Sequence, residues 1–295
     1  MTMNIIETTA LTKKFKGQIA VNNLNMEIPK GVVCGFLGKN GAGKTTTIKM
    51  LAGLTKPTSG SFKLNGGIGY LPDVPGFYNY MTAKEYLEFS GNLCGIEEKI
   101  LKNRTGELLE KTGLANTGKK RIKGFSRGMK QRLGIAQALI NKPEIVFMDE
   151  PISALDPVGR HEIAKIIESL KGETTVFFST HIISDVESIC DYIVVLDNGF
   201  LKLADSLENI KKNHARNTVN IKFFNETDSV NFQNELKNVS QSFAVYNSLE
   251  IGMNEEAAGA AGKTIFQILS KTGIAIESYR SFVPSLENIF MEVTK

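Results

Sequence analysis

Cysteine is scarce in this sequence, long apolar runs are missing and net charge is small; each shortage removes a class of protein. Three cysteines among 295 residues, Cys34, Cys94 and Cys190, lack the paired spacing of a metal site and argue against a disulfide framework. They suit a reducing compartment and are expected as packing residues. No apolar stretch approaches the roughly 18 residues of a membrane span, and no basic and apolar segment of the signal-peptide kind opens the sequence, so a cytosolic location is expected. A net charge of +4, with lysines scattered among carboxylates, leaves no electrostatic footprint for nucleic acid or anionic lipid. Repeats and low-complexity tracts are absent apart from the small-residue stretch Ala257 to Gly262. The length suits one large and one small domain with the apolar content of a soluble globular protein.

Segments of β-type pattern lie at Asn4 to Leu11, Ala20 to Ile28, Val32 to Leu37, Ser61 to Leu64, Ile145 to Met148, Thr175 to Ser179 and Ile193 to Leu196. Helical patterns separate most of the later ones, which predicts a largely parallel sheet covered on both faces, with ligands at the carboxyl ends of its strands. From Met81 to Asn141 the pattern is helical throughout, including Ala83 to Asn92 and Glu97 to Thr112. That predicts an inserted helical subdomain, about residues 74–142. Asp197-Asn198-Gly199 signals a hairpin, Ser206 to Asn217 reads as helix plus linker, and a domain boundary is expected near His214. Beyond it, strand-like Val219 to Phe224, helix-like Val230 to Lys237, strand-like Phe243 to Tyr246 and Leu249 to Met253, helix-like Thr264 to Thr272 and strand-like Ile274 to Tyr279 predict a small β-α-β-β-α-β module over 214–295, ending in an amphipathic helix from Pro284 to Val293.

The chemistry concentrates at Gly38-Lys39-Asn40-Gly41-Ala42-Gly43-Lys44-Thr45-Thr46, between the apolar run Val32 to Leu37 and a helical segment. Strand, glycine-rich turn and helix in that order match a P-loop. Its glycines let backbone N–H groups close around phosphate, its lysine reaches the β/γ-phosphates and its Thr hydroxyl holds Mg²⁺. Gly262-Lys263-Thr264 repeats the last three letters, but Ala257 stands where the first glycine is needed, so that tripeptide is expected as helix surface. Ile145 to Met148 ends in Asp149-Glu150, a pair in which the first acid orients Mg²⁺ and the second polarises attacking water. Ser126 precedes an apolar-periodic helix and is placed as its N-cap.

With Phe125-Ser126-Arg127-Gly128-Met129 and Ser153-Ala154-Leu155-Asp156 added, residues 1 to about 210 resemble the ATP-binding subunits of ABC transporters, with the motifs in that family's order. The resemblance implies an α/β fold with a P-loop NTPase core, an antiparallel β subdomain, a helical subdomain and a small C-terminal α+β domain. It implies that Phe15 stacks on adenine, that Gly38 to Thr46 form Walker A, that Ser126, Arg127 and Gly128 form the signature loop, and that Asp149 is the Walker B magnesium residue. It makes Glu150 the catalytic base, places Asp156 in the D-loop, and makes His181 the switch histidine near the γ-phosphate. Ordinary core packing for Phe15 and ordinary capping for Ser126 are the competing readings.

Three positions depart from the family pattern. The signature reads Phe-Ser-Arg-Gly-Met where LSGGQ is usual; Asp73 replaces the Q-loop glutamine and is a candidate Mg²⁺ ligand or water-positioning group; and the hairpin arm between Gly60 and Gly69 is short. One P-loop and one signature loop per chain imply a homodimer that encloses two ATP with Mg²⁺, together with a separate integral-membrane permease. Phe77, Tyr78 and Tyr80 are candidates for its docking groove, and the expected location becomes the cytoplasmic face of the membrane. The signature and C-terminal pattern resemble the branch serving bacterial export of drugs, lantibiotics or other peptides. Nucleic acid is not an expected partner. The rivals are a non-transport ABC-type ATPase, which would carry a coiled-coil insertion or two cassettes, and a nucleotide-gated binder lacking Glu150 or His181.

Overall fold

The computed structural model describes residues 3–214, 217–239, 243–247, 250–255, 260–282 and 285–294. Leu249, Ala257 and Pro284, where three of the expected segments begin, lie outside the described residues. The chain divides into two compact units, Met1–Leu207 with Val293–Lys295, and Glu208–Glu292.

In the first unit, β1 (Asn4–Phe15) and β2 (Gln18–Pro29) form a hairpin, followed by β3 (Val33–Leu37), α1 (Lys44–Leu51), β4 (Ser59–Leu64) and β5 (Ile68–Leu71). A helical stretch holds α2 (Ala83–Leu93), α3 (Glu98–Lys111) and α4 (Arg127–Ala138). Then β6 (Ile145–Met148), α5 (Pro157–Glu168), β7 (Thr175–Thr180), α6 (Ile183–Ile189), β8 (Tyr192–Asp197) and β9 (Phe200–Ser206) complete the unit. One sheet is antiparallel, in the order β2-β1-β4; the other has the order β5-β6-β7-β3-β8-β9, parallel except for the final hairpin partner.

That second order explains why distant motifs meet. β5, β6, β7 and β3 are spatial neighbours running the same way, so the residues after their carboxyl ends, Asp73, Asp149 and Glu150, His181, and the Gly38–Lys44 loop, share one edge. Every residue of β3, β6 and β7 is buried, as a sheet covered on both faces requires. Phe177 anchors the core between Phe36 and Phe147, with ring centroids at 5.0 and 5.8 Å. The Asn198-Gly199 turn joins β8 to β9 with φ of +49° and +82°, the left-handed pair a tight hairpin needs.

Three expectations need correction. The helical stretch is interrupted between α3 and α4, where only two short 3₁₀ turns, Ala115–Thr117 and Ile122–Gly124, occur. Gly113 at φ +65° ends α3. Strand β5 was also not expected from its Gly-rich run. A Cβ on Gly69 would lie 2.0 Å from the Ala138 carbonyl oxygen, so the glycine that weakens the strand pattern is what lets β5 approach the end of α4. Cys34 and Cys190 are buried as expected, but Cys94, capping the C-terminus of α2, is exposed.

Helix α2 starts with a capping box: the Thr82 hydroxyl accepts from the Glu85 N–H at 3.2 Å, and the Glu85 carboxylate accepts from the Thr82 N–H at 2.7 Å. The hydrogen bond from the Thr82 N–H, aided by the nearby Thr82 hydroxyl, holds the Glu85 carboxyl below its ordinary pKa. Thr82→Ala is expected to lower unfolding free energy by about 1 kcal/mol, measured by denaturant titration. Because the Glu85 carboxyl titrates lower when folded, its contribution is present above the unfolded value and is lost as pH falls through the folded one.

In the second unit α7 (Leu207–His214), β10 (Asn217–Phe223), α8 (Glu226–Val239), β11 (Phe243–Asn247), β12 (Glu250–Glu255), α9 (Ala260–Thr272), β13 (Ile276–Phe282) and α10 (Leu286–Val293) follow in order. The division falls at Leu207/Glu208, so most of α7 belongs with this unit, whereas the sequence reading placed the boundary at its far end. The sheet order is β11-β12-β10-β13, and Phe223 meets Phe232 of α8 at 5.2 Å within a core that includes Ile221, Leu236, Ile265 and Ile268. Lys263 is exposed on α9, which makes Gly262-Lys263-Thr264 part of a helix rather than a phosphate loop.

Candidate active site

The loop from β3 to α1 is shaped by two glycines that admit no side chain. A Cβ on Gly38 would sit 2.4 Å from the Leu196 carbonyl oxygen. On Gly43, at φ +106°, it would sit 2.3 Å from that of Ala20. Gly43 is also the N-cap of α1; no side chain caps this helix and its first turn carries no acid. The uncapped N–H groups and the dipole at that end favour an anion. Asn40, Gly41, Gly43, Lys44, Thr45 and Thr46 line a concavity of about 380 Å³. Gly38 and the buried Ala42 support the turn from behind, where Ala42 donates its N–H to the Lys39 carbonyl at 3.1 Å.

Lys44 is only 6% exposed. Its Nζ donates to the carbonyls of Gly38 at 2.7 Å and Lys39 at 3.2 Å, and lies 3.6 Å from Glu150 Oε1. Burial lowers its pKa, while the carboxylates of Glu150 and Asp149 work in the opposite direction. Asp149, 2% exposed, is held by two hydroxyls on one oxygen: Thr45 donates at 3.0 Å and Ser179 at 2.7 Å. The Ser179 oxygen in turn accepts from the Glu150 N–H at 2.9 Å, so one β7 hydroxyl sets both acids. Ser179 was not singled out from sequence, although a serine in an otherwise buried strand beside the Asp-Glu strand was the available signal. Ala20, on β2, also lines the concavity without any prior sign.

Glu150 has φ +47°, an uncommon conformation for a non-glycine residue, and the turn is tied by Ser153, whose hydroxyl donates to the Glu150 carbonyl at 3.0 Å. The carboxylate meets His181 Nδ1 at 3.0 Å from Oε2 and 3.2 Å from Oε1. A carboxylate can only accept, so Nδ1 carries the proton. Asp73 lines the same concavity from the end of β5.

The remaining predicted residues lie elsewhere. Ser126 caps α4, its hydroxyl accepting from the Met129 N–H at 3.2 Å. With Arg127, Gly128 and Asp156 it borders a separate concavity of about 370 Å³. Asp156 also caps α5, accepting from the Gly159 N–H at 3.0 Å. Phe15 stands at the strand end before the Lys16-Gly17 turn, 49% exposed, with the Lys13 ammonium 4.9 Å from its ring centre, and does not line the phosphate concavity.

The donor set fits a phosphate chain with a hard cation. Thr45 and Asp149 offer an adjacent hydroxyl and carboxylate, which suits Mg²⁺ shared with phosphate oxygens rather than an all-protein cage. Among the described residues no three His, Cys, Asp or Glu side chains converge as metal ligands.

Comparison with known proteins agrees with this geometry. Residues 21–153 match the family model described as ABC transporter, and residues 206–294 match one described as ATP-binding protein DrrA1-3-like, C-terminal domain. The chain is similar to an uncharacterized ABC transporter ATP-binding protein, YxlF, of Bacillus subtilis (strain 168), 37% identical over 98% of this chain and 99% of that protein. It is similar to the bacitracin transport ATP-binding protein BcrA of Bacillus licheniformis, 42% identical over 72% of this chain and 73% of that one. Among solved structures, an ATP-binding subunit of an ABC transporter aligns with TM-score 0.64 at 29% identity, covering 71% of this chain and 92% of that one.

Proposed function

Since this chain belongs to the ABC transporter ATP-binding proteins, we propose that it hydrolyses MgATP as a homodimer to drive export of a drug, lantibiotic or other peptide through a separate membrane subunit. The observation that carries the proposal is the division of the site. Lys44, Glu150 and His181 gather at one concavity, while Ser126, Arg127 and Gly128 of the same chain border another. Each concavity holds half of the machinery, and a two-fold pairing of copies supplies two complete sites.

Within a complete site, Lys44 and the N–H groups opening α1 hold the phosphates, and Glu150 takes the proton of the attacking water. His181 Nδ1–H orients that carboxylate and leaves Nε2 facing the terminal phosphate. The Ser126 hydroxyl and Gly128 N–H of the second copy close over the same group. Thr45 and Asp149 would hold Mg²⁺, which would supply neutralisation of phosphate charge. The presence of both Glu150 and His181 favours turnover over a binder that merely holds nucleotide.

No described helix is long and apolar enough to cross a membrane, which is consistent with a separate permease. A groove of about 590 Å³ beside the Q-loop suits its docking: Phe77, Tyr78, Tyr86 and Phe89 line it, and the Tyr80 ring, 66% exposed, lies tilted against that of Tyr78 at 5.9 Å. A peptide antibiotic as cargo is supported by the bacitracin transport relative. The chain would then work at the cytoplasmic face of the membrane.

Mixing two inactive variants tests the divided site. Ser126→Arg blocks the closing half and Glu150→Gln the hydrolysing half, so each homodimer is inactive. A mixed dimer still contains one site with Glu150 from the first variant and Ser126 from the second. ATPase activity reappearing on mixing is the expected result, and none at any ratio refutes the proposal.

A further inference from the structure

The two charged departures from the family pattern, Asp73 for glutamine and Arg127 for glycine, lie in different motifs yet line one cleft. This cleft, about 300 Å³, runs between the end of β5 and the start of α4 and is bordered by Asp73, Pro75, Arg127, Lys130 and Gln131. Asp73 lines the phosphate concavity as well, so it stands at the junction of the two spaces. Its carboxylate has no hydrogen bond or ion pair among the described residues, and neither Arg127 nor Lys130 has an anionic partner there. Gln131 is 5% exposed, and its amide likewise has no hydrogen-bond partner among the described residues. One anion thus shares the cleft with two cations and the Gln131 side chain, none of them paired among the described residues.

Charge decides which side Asp73 prefers. A glutamine at the mouth of the phosphate concavity is neutral and can stay beside a triphosphate. A carboxylate there is repelled by the terminal phosphate and attracted by Arg127 and Lys130. We propose that Asp73 is a positioning residue: when a triphosphate fills the P-loop, Asp73 turns across the cleft and ion-pairs with Arg127 and Lys130, transmitting nucleotide charge to the orientation of the signature loop. The two departures then form one compensated pair. This inference rests on the ATPase reading above.

A double-mutant cycle on the full chain tests it. Asp73→Gln and Arg127→Gly are each expected to lower kcat about 5- to 20-fold with KM for MgATP little changed, while the double variant loses no more than the worse single. Asp73→Glu and Arg127→Lys keep the charges and should each lose less kcat than the neutral variant at the same position. Losses that multiply in the double variant, or singles that turn over like the parent, overturn the proposal. A second readout is independent of turnover. At chain concentrations where light scattering finds only monomers, so that no second copy covers the signature loop, MgATP should protect the parent from trypsin after Arg127 and Lys130 and should not protect Asp73→Gln; equal protection of both overturns it. A parent chain that hydrolyses no ATP would defeat the ATPase reading, while the trypsin comparison would still decide this one.

Discussion

Glu150→Gln is expected to bind MgATP like the parent and to turn it over about 10²- to 10⁴-fold more slowly, equivalent to about 3 to 5 kcal/mol of barrier. The geometry predicts a clean separation of binding from chemistry. A glutamine oxygen still accepts from His181 Nδ1 at the position where Glu150 now lies at 3.0 Å, and the backbone turn held by Ser179 and Ser153 does not involve the side chain. What the amide loses is the capacity to take a proton from water. Its neutral oxygen also withdraws one of the two carboxylates beside Lys44, which removes an attraction that competes with the phosphates for the ammonium. Bound nucleotide should therefore persist, and two-fold dimers should accumulate to a level visible by light scattering. Steady-state hydrolysis close to the parent rate would withdraw Glu150 as the base. Weakened nucleotide binding would instead mean that the Glu150–Lys44 contact arranges the loop.

The sheet and most of the site were legible because their signals are local and strong. A fully buried parallel strand is a short run of apolar residues, and β6 coincides with Ile145 to Met148 to the residue. Glycines at Gly38 and Gly43 are dictated by close backbone contacts, so the loop announces itself in the letters. Less local features stayed hidden. Ser179 acts through a strand distant in sequence, and a hydroxyl inside an apolar run gives no hint of which carboxylate it holds. β5 was masked by the same glycine that makes its packing possible. Exposure of Cys94 at the end of α2 is fixed by which face of the helix meets α3 and α4, a matter of tertiary packing that periodicity over one helix does not settle.

Lys44→Met should raise the stability of the chain at neutral pH and at the same time weaken MgATP binding by about 2 to 5 kcal/mol. The two effects have opposite signs because they concern different states of one ammonium. In the chain itself, burial is the leading influence on Lys44 and lowers its pKa despite Glu150 and Asp149, so its positive charge is on balance disfavoured by folding. A cationic group with a depressed folded pKa carries that penalty in full at pH values below the folded pKa and sheds it as pH rises toward the unfolded value. Neutral pH lies on the penalised side. Methionine has a similar length and no charge to bury; Asp149 keeps Thr45 and Ser179, Glu150 keeps His181 and the Lys39 carbonyl keeps the Ala42 N–H, so the Gly38 carbonyl is the partner that loses its donor. With a triphosphate present the balance reverses, since the buried cation meets several negative oxygens in a site sheltered from water and its loss leaves them unmatched. Thermal unfolding without nucleotide and equilibrium binding of MgATP measure the two halves separately. A variant that is less stable than the parent and also fails to bind would show Lys44 to be a structural brace of the loop, held by the Gly38 and Lys39 carbonyls, rather than a charge kept in place for phosphate at the expense of stability.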